Sequence, residues 1–265
     1  MKYAIIGATG NVGRKTIEIL EKSNLKVDKL NLLASKKSKG QNLSFRGKEI
    51  IVNDLENYNF SDANITFFAA GSKIAEKFAL NASKKTCVID NSKFFRMNTG
   101  IPLVVAEVNP DELNNHKNLI SNPNCSTIQL VLTLKPLHDI YKVKRVIVST
   151  YQSVSGAGKS SMDELISQSS DVLNGKNVIS KNFSKQIAFN IIPHIDEFVE
   201  DGYTKEEWKM ENETKKILDN NIELSATCVR VPVKTSHSES INIEFEKEKG
   251  VDKMFRIIKS NFKQI

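Results

Sequence analysis

The chain has 265 residues, of which 40% are hydrophobic and 26% charged, with a formal net charge of +7. That length supports one large domain or two ordinary ones with proper cores. No apolar run approaches a membrane span and the opening MKYAIIGATG lacks the long apolar centre of a signal peptide, so a soluble cytoplasmic protein is expected, with no membrane partner.

Three cysteines, Cys87, Cys125 and Cys228, form an odd, sparse set without a CxxC pair, which indicates neither a disulfide framework nor a zinc cluster. No metal is expected. The lysines are scattered, and their longest cluster is KKSK at 36–39. No aromatic-basic platform accompanies them, which argues against nucleic acid and leaves anionic small ligands as the natural partners.

KYAIIG reads as a compact apolar strand running into GATGNVG and then into the helical pattern VGRKTIEILEK, with Val12, Ile17 and Leu20 on one side. Strand, glycine turn and helix together present backbone N–H groups and a helix N-terminus to a phosphate. The glycines Gly7, Gly10 and Gly13 are not in the commoner GxGxxG spacing, so their position at the head of a βαβ unit carries the reading.

A second strand is expected over LNLLAS at 30–35. An acidic residue at its end would hold a ribose hydroxyl, whereas a hydroxyl and basic cluster holds a 2′-phosphate. Ser35, Lys36, Lys37 and Ser38 stand there, and Asp28 lies before the strand, so NADP is favoured. Further strands fit ITFFAA at 65–70 and CVIDNS at 87–92, with Cys87 as a core residue.

In SNPNCSTIQL a helix is expected from about Ser126 to Lys135, capped by Asn124 or Ser126 and limited by Pro136. Cys125 then stands at a helix N-terminus, which favours the nucleophilic thiolate. Cys228, in TCVR inside a strand-like run, reads as a small buried hydrophobe. Gln152 lies near the end of the strand VIVSTYQ before a glycine loop, able to orient a carbonyl, although alone it reads as a hydrogen-bonded strand residue.

Thr204 and Glu207 have capping-box spacing, so a helix should begin there; Glu206 with Lys209 and Glu211 with Lys215 fall on common faces, a pattern usual for surface salt bridges. SATCVRVPVKTSHSESINIEFE reads as two strands joined by a loop, the second setting Ile241, Ile243 and Phe245 against Asn242, Glu244 and Glu246. Arg230 on the first strand and His237 in the connection are candidates for binding a carboxylate and moving a proton.

The pieces GATGNVG, LASKKSKG, FAAGS, DNSKFFRM, SNPNCSTIQ, TYQSVSGAG, EEWKMENETKKI and RVPVKTSHSES run in order through nearly the whole chain. Together they resemble the aspartate-β-semialdehyde dehydrogenases. The resemblance implies an α/β fold: a Rossmann-type NADP-binding domain over residues 1–124, followed by an α+β catalytic and dimerisation domain over 125–265. It implies Cys125 as nucleophile, His237 as general acid/base and Gln152 as the residue orienting the substrate. Arg230 and Glu206 are implied on the substrate side, with Arg96, Asn124 and Lys209 around the phosphate. Gly7, Thr9, Gly10, Asn11, Val12, Gly13, Ser35, Lys37, Ser38, Ala70 and Gly71 are implied as cofactor contacts.

The implied substrates are aspartate semialdehyde, aspartyl phosphate and phosphate, and the implied assembly is a homodimer. VVAEVN lacks the proline many members have before the glutamate, and Lys73 replaces a common small residue. Members usually continue beyond the HSES strand, so the second domain is expected to be C-terminally shortened. The rivals are an N-acetylglutamyl-phosphate reductase and a catalytically silent binding partner.

Overall fold

The computed structural model describes residues 1–247 and 250–261. Its contacts divide the chain into two compact units, Met1–Pro123 and Asn124–Ile265.

The first unit begins with β1 (Lys2–Ile6), α1 (Asn11–Lys22) and β2 (Lys29–Ala34), followed by a hairpin of β3 (Asn42–Phe45) and β4 (Lys48–Ile51). It continues through β5 (Asn53–Asp54), β6 (Ile65–Phe68), α2 (Ser72–Ala82), β7 (Cys87–Asp90) and β8 (Leu119–Ser121). Six strands form a parallel sheet in the order β5-β2-β1-β6-β7-β8. From β1 the chain first builds outward to β2 and β5, then returns to the other side of β1 at β6. The carboxyl ends of β1 and β6 thus form the topological switch point where open α/β sheets bind ligands. β1 is buried from Tyr3 to Ile6, as a central strand covered on both faces requires.

On α1 the buried residues are Gly13, Ile17 and Leu20, whereas Val12 is 52% exposed. Val12 is therefore not on the core face as expected. Positions 13, 17 and 20 follow helical spacing, and position 12 falls about 100° away from 13.

The second unit contains α3 (Cys125–Tyr141), β9 (Val143–Gln152), α4 (Lys159–Leu173), α5 (Lys205–Ile217), β10 (Glu223–Arg230), β11 (His237–Phe245) and α6 (Val251–Asn261). β10 and β11 do not pair with each other. Both flank β9, β10 parallel and β11 antiparallel to it. One face of this sheet carries a core in which Leu130, Leu134 and Leu137 of α3 meet Met210 of α5 and Val146, Val148 and Cys228 of the sheet.

α3 is capped by Asn124 and starts at Cys125, in keeping with the expected start, but it corrects the expected end: it runs through Pro136 to Tyr141. An internal proline costs about 3 kcal/mol. Beyond it, Leu137, His138 and Tyr141 are all buried, and this packing holds the last turn in place.

Candidate active site and nucleotide cavity

The catalytic candidates of the second unit are positioned by three helix and strand ends. Asn124 caps α3, its side-chain oxygen accepting from the N–H groups of Ser126 (2.9 Å) and Thr127 (3.3 Å). Cys125 is the first residue of that helix and is exposed, at the end whose dipole favours negative charge. The rest of Asn124 is also engaged. Its backbone N–H donates to Glu213 (2.6 Å), and its side-chain Nδ2 donates to Glu206 Oε1 (2.8 Å).

Glu206 is almost fully buried near the start of α5, which opens with the expected capping box of Thr204 and Glu207. Besides Asn124 it accepts from Gln152 Nε2 (3.1 Å) and Lys209 Nζ (2.8 Å), and Lys209 also reaches Asp196 (2.9 Å). Burial alone would raise the Glu206 carboxyl, but the Lys209 charge and these donors outweigh it and hold it below the usual range. Burial likewise presses Lys209 down, and Glu206 with Asp196 more than reverse that. The pair that spacing alone reads as a surface bridge is an internal ion pair.

Gln152 ends β9, directly opposite Arg230 on one side and His237 on the other. Its side-chain oxygen accepts from Thr150 Oγ1 (2.9 Å), so both ends of the amide are fixed. His237 lies on the first residue of β11, not in the connecting loop. Its Nδ1 accepts from the Ser153 N–H (3.0 Å), which leaves the proton of the neutral ring on Nε2. Burial, helped by the Arg230 charge, pushes the His237 pKa down.

Arg230 is buried, and its Nη1 donates to the Ser153 carbonyl (2.7 Å). Burial lowers its pKa, against the opposing charges of Glu206 and the Cys125 thiolate. Arg230 and His237 converge at Gly156: a Cβ there would lie 3.3 Å from Arg230 Nη1 and 3.6 Å from His237 Nε2.

Ser153, Gly156, Asp196 and Glu213 are site residues that sequence reasoning missed. Glu213 had a signal, since it lies seven residues after Glu206 on the same face of α5. Asp196 had none, because its loop position is set only by folding.

In the first unit, a cavity of about 740 Å³ opens across the carboxyl ends of β5, β2, β1 and β6. Gly7, Thr9, Gly10, Ser35 and Ala70 line it as expected, but Lys36 forms the wall in place of Lys37. Thr9 Oγ1 meets Ser38 Oγ at 3.3 Å, tying the glycine loop to the turn after β2. Gly13 and Gly71 act on backbone geometry. A Cβ at Gly13 would lie 2.2 Å from the Gly7 carbonyl, and Gly71 precedes α2 at φ 81°. Gly7 has φ 82°, and its Cβ would lie 2.6 Å from the Ala69 carbonyl, so β1 and β6 close together only over glycine.

α1 has no side-chain cap and no acidic residue in its first turn, which suits a phosphate at its N-terminus. The residues present therefore fit a dinucleotide. Arg96 also belongs to this unit; it is buried and donates to the Asn91 carbonyl (3.1 Å).

Two family profiles match the chain: "Semialdehyde dehydrogenase, NAD binding domain" over residues 2–116 and "Semialdehyde dehydrogenase, dimerisation domain" over residues 134–264. A curated relative, the aspartate-semialdehyde dehydrogenase of Aquifex aeolicus, is 48% identical over 265 residues, covering 98% of this chain and 78% of its own length. The chain belongs to the aspartate-semialdehyde dehydrogenase family. Among solved structures, aspartate-semialdehyde dehydrogenase II of Vibrio cholerae, described as complexed with ASA, matches with a TM-score of 0.97 at 43% identity, over 98% of this chain and 79% of that one. The Candida albicans aspartate-semialdehyde dehydrogenase, described as with NADP, matches at 0.75 and 25% identity, over 97% and 75%. Membership in this family makes the chain an oxidoreductase of the α/β class with a nucleotide-binding domain and a dimerisation domain. Among the described residues no helix is long and apolar enough to cross a membrane.

Proposed function

We propose that the chain carries out the NADPH-dependent reductive dephosphorylation of L-aspartyl-4-phosphate to L-aspartate 4-semialdehyde, and its reverse, in aspartate-family amino-acid biosynthesis. The observation that carries this reading is the convergence of Arg230 Nη1 and His237 Nε2 at Gly156, together with the Glu206 ion pair that also holds the cap of the Cys125 helix.

In the biosynthetic direction the Cys125 thiolate attacks the acyl phosphate carbonyl, a C–S bond forms and phosphate leaves, so the acyl group rests on sulfur as a thioester. Gln152, fixed at both ends of its amide, orients that carbonyl beside the sulfur. NADP supplies the hydride chemistry when bound. After reduction, the hemithioacetal oxygen exchanges its proton at His237 Nε2, since Nδ1 is held by Ser153. Collapse of the hemithioacetal returns the thiolate and releases the aldehyde.

Arg230 grips the substrate carboxylate as a planar donor. Lys209 has three N–H donors and gives two to Asp196 and Glu206, which leaves one for phosphate. Asn124 and, in the first unit, Arg96 are each assigned to phosphate binding. We assign residues 1–124 to cofactor binding, through Gly7, Thr9, Gly10, Asn11, Val12, Ser35 and Ser38, and residues 125–265 to catalysis.

The second unit is also assigned to homodimerisation. Its sheet face opposite the core carries Ile147 (40% exposed) and Tyr151 (46% exposed), apolar groups that a second copy would cover. A cytoplasmic location follows from this metabolism.

The test is phosphate-dependent NADPH formation from aspartate semialdehyde by this chain, with N-acetylglutamate semialdehyde as the competing substrate. Turnover of only the glutamyl compound would replace this reading with that of the N-acetylglutamyl-phosphate reductase. Absence of turnover with both would favour a silent binding partner.

A further inference from the structure

One buried group beside the catalytic heads has no use in the chemistry above, the Ser153 hydroxyl. Ser153 follows Gln152 at the end of β9 and is fully buried. Its peptide serves both heads: the N–H donates to His237 Nδ1 and the carbonyl accepts from Arg230 Nη1. The side chain stands apart from these bonds. Ser153 Oγ lies 3.2 Å from the same His237 Nδ1 and 2.9 Å from Ser155 Oγ. The turn that carries both hydroxyls is pinned to the segment before β11, the Val154 N–H donating to the Val233 carbonyl (2.9 Å) and the Ser155 N–H to that of Lys234 (3.2 Å).

The two partners of Nδ1 favour opposite states of the ring. A backbone N–H can only donate, so it meets a bare Nδ1 and holds the resting ring in its Nε2–H form. A hydroxyl both donates and accepts. With its own proton given to Ser155 Oγ, Ser153 Oγ turns a lone pair to Nδ1 and receives an N–H there.

A group that works as base and as acid at Nε2 needs both states. To take a proton from the hemithioacetal in the oxidative direction, Nε2 must be bare, which puts the ring proton on Nδ1. The substrate O–H bond then breaks, its proton passes to Nε2, and its electron pair forms the thioester carbonyl as hydride leaves the carbon for the cofactor. The imidazolium so formed carries a proton on each nitrogen. Against the Ser153 N–H alone, an Nδ1–H would oppose another donor.

We infer that Ser153 is a positioning residue for His237, its hydroxyl accepting the Nδ1 proton and donating its own to Ser155 Oγ, so that Nε2 serves as base and as acid. The inference rests on the reading of His237 as acid/base given above. Burial presses the His237 pKa down most, a backbone hydrogen bond at Ser236 lifts it, the Arg230 charge lowers it and the Glu206 charge raises it. All of these stay in place when only the Ser153 hydroxyl is removed.

Ser153→Ala makes that change, keeping the peptide N–H and carbonyl. The titration of His237 is followed by NMR of the histidine-labelled chain, its signal identified by its loss in His237→Gln. The proton affinity of His237 is expected to fall roughly tenfold in Ser153→Ala, the worth of a hydrogen bond to a charged group. Ser155→Ala leaves the acceptor but takes away the partner of its proton, so a smaller fall in the same direction is expected. In the phosphate-dependent assay, kcat of Ser153→Ala should drop roughly ten- to hundredfold. KM for aspartate semialdehyde should stay unchanged, because Arg230 keeps its contact with the Ser153 carbonyl.

Unchanged melting temperature checks the fold, and if Ser153→Ala melts low, the Ser155→Ala titration decides alone, with no fall there overturning the inference. An unchanged titration in Ser153→Ala, or an altered titration with unchanged kcat, overturns it while leaving the assignment of His237 intact. A wild type that turns over neither semialdehyde overturns that assignment itself, and the titration then still decides whether the hydroxyl holds the Nδ1 proton.

Discussion

Asn124 Nδ2 and Glu206 Oε1 are joined by a 2.8 Å hydrogen bond that ties the cap of the Cys125 helix to the buried ion pair of α5. Because the same carboxylate holds Lys209 and Gln152, loss of Glu206 would leave several buried donors without a partner. Glu206→Ala is expected to destabilise the chain by about 3–5 kcal/mol, the cost of breaking a buried pair, with Glu206→Gln milder. Thermal unfolding of the two variants beside the wild type measures this, and equal melting temperatures would contradict it.

Cys125→Ser keeps the helix start and removes the soft nucleophile. Turnover is expected to fall by several orders of magnitude with no change in melting temperature. A variant retaining a sizeable part of the activity would remove Cys125 from the nucleophile's role.

Gly156 is not at positive φ, so alanine fits the backbone there, but its methyl crowds Arg230 Nη1 at 3.3 Å and comes into contact with His237 Nε2 at 3.6 Å. Gly156→Ala should therefore fold normally while kcat/KM drops roughly ten- to hundredfold, as misplacement of reacting groups does. Steady-state kinetics decide this, and unchanged kinetics would mean that the two heads do not work at that point.

Among the described residues the Glu239 carboxyl has both oxygens buried without a hydrogen-bond partner, and burial raises its pKa from 4.5 to about 7. The native state thus holds this proton more tightly than the unfolded chain. Its contribution to stability is fully present below pH 4.5 and is lost as pH rises to about 7. Glu239→Gln should erase that part of the pH dependence and raise the melting temperature at pH 8 relative to wild type. Parallel melting curves for the two proteins across that range would refute it.

Ser35→Asp places a carboxylate where the 2′-phosphate is assigned. Affinity for NADPH is expected to fall by about tenfold or more while that for NADH is spared, on grounds of charge repulsion. Competition binding with the two cofactors checks it, and equal losses for both would count against Ser35.

Much of this molecule was legible locally. Thr204 and Glu207 announced the start of α5, the glycines at 7, 10 and 13 announced the turn after β1, and the alternation from Ile241 to Glu246 announced a half-buried strand, because each is set by interactions within a few residues. Val12 and Pro136 misled for a related reason. Local periodicity and propensity are weak beside the packing of a whole helix, which turned Val12 outward and carried α3 through Pro136 to Tyr141.

The sequence by itself determined the nucleotide-binding turn, a cysteine at a helix start, and family membership, since these reside in short ordered motifs. Tertiary structure decided which charges are buried and which side chains meet. Glu206 with Lys209 became an internal pair, His237 became a strand residue with a fixed tautomer, and Asp54 arrived beside Ala34 from a separate strand. Those outcomes depend on strand order and desolvation, which arise only when distant segments pack and water leaves.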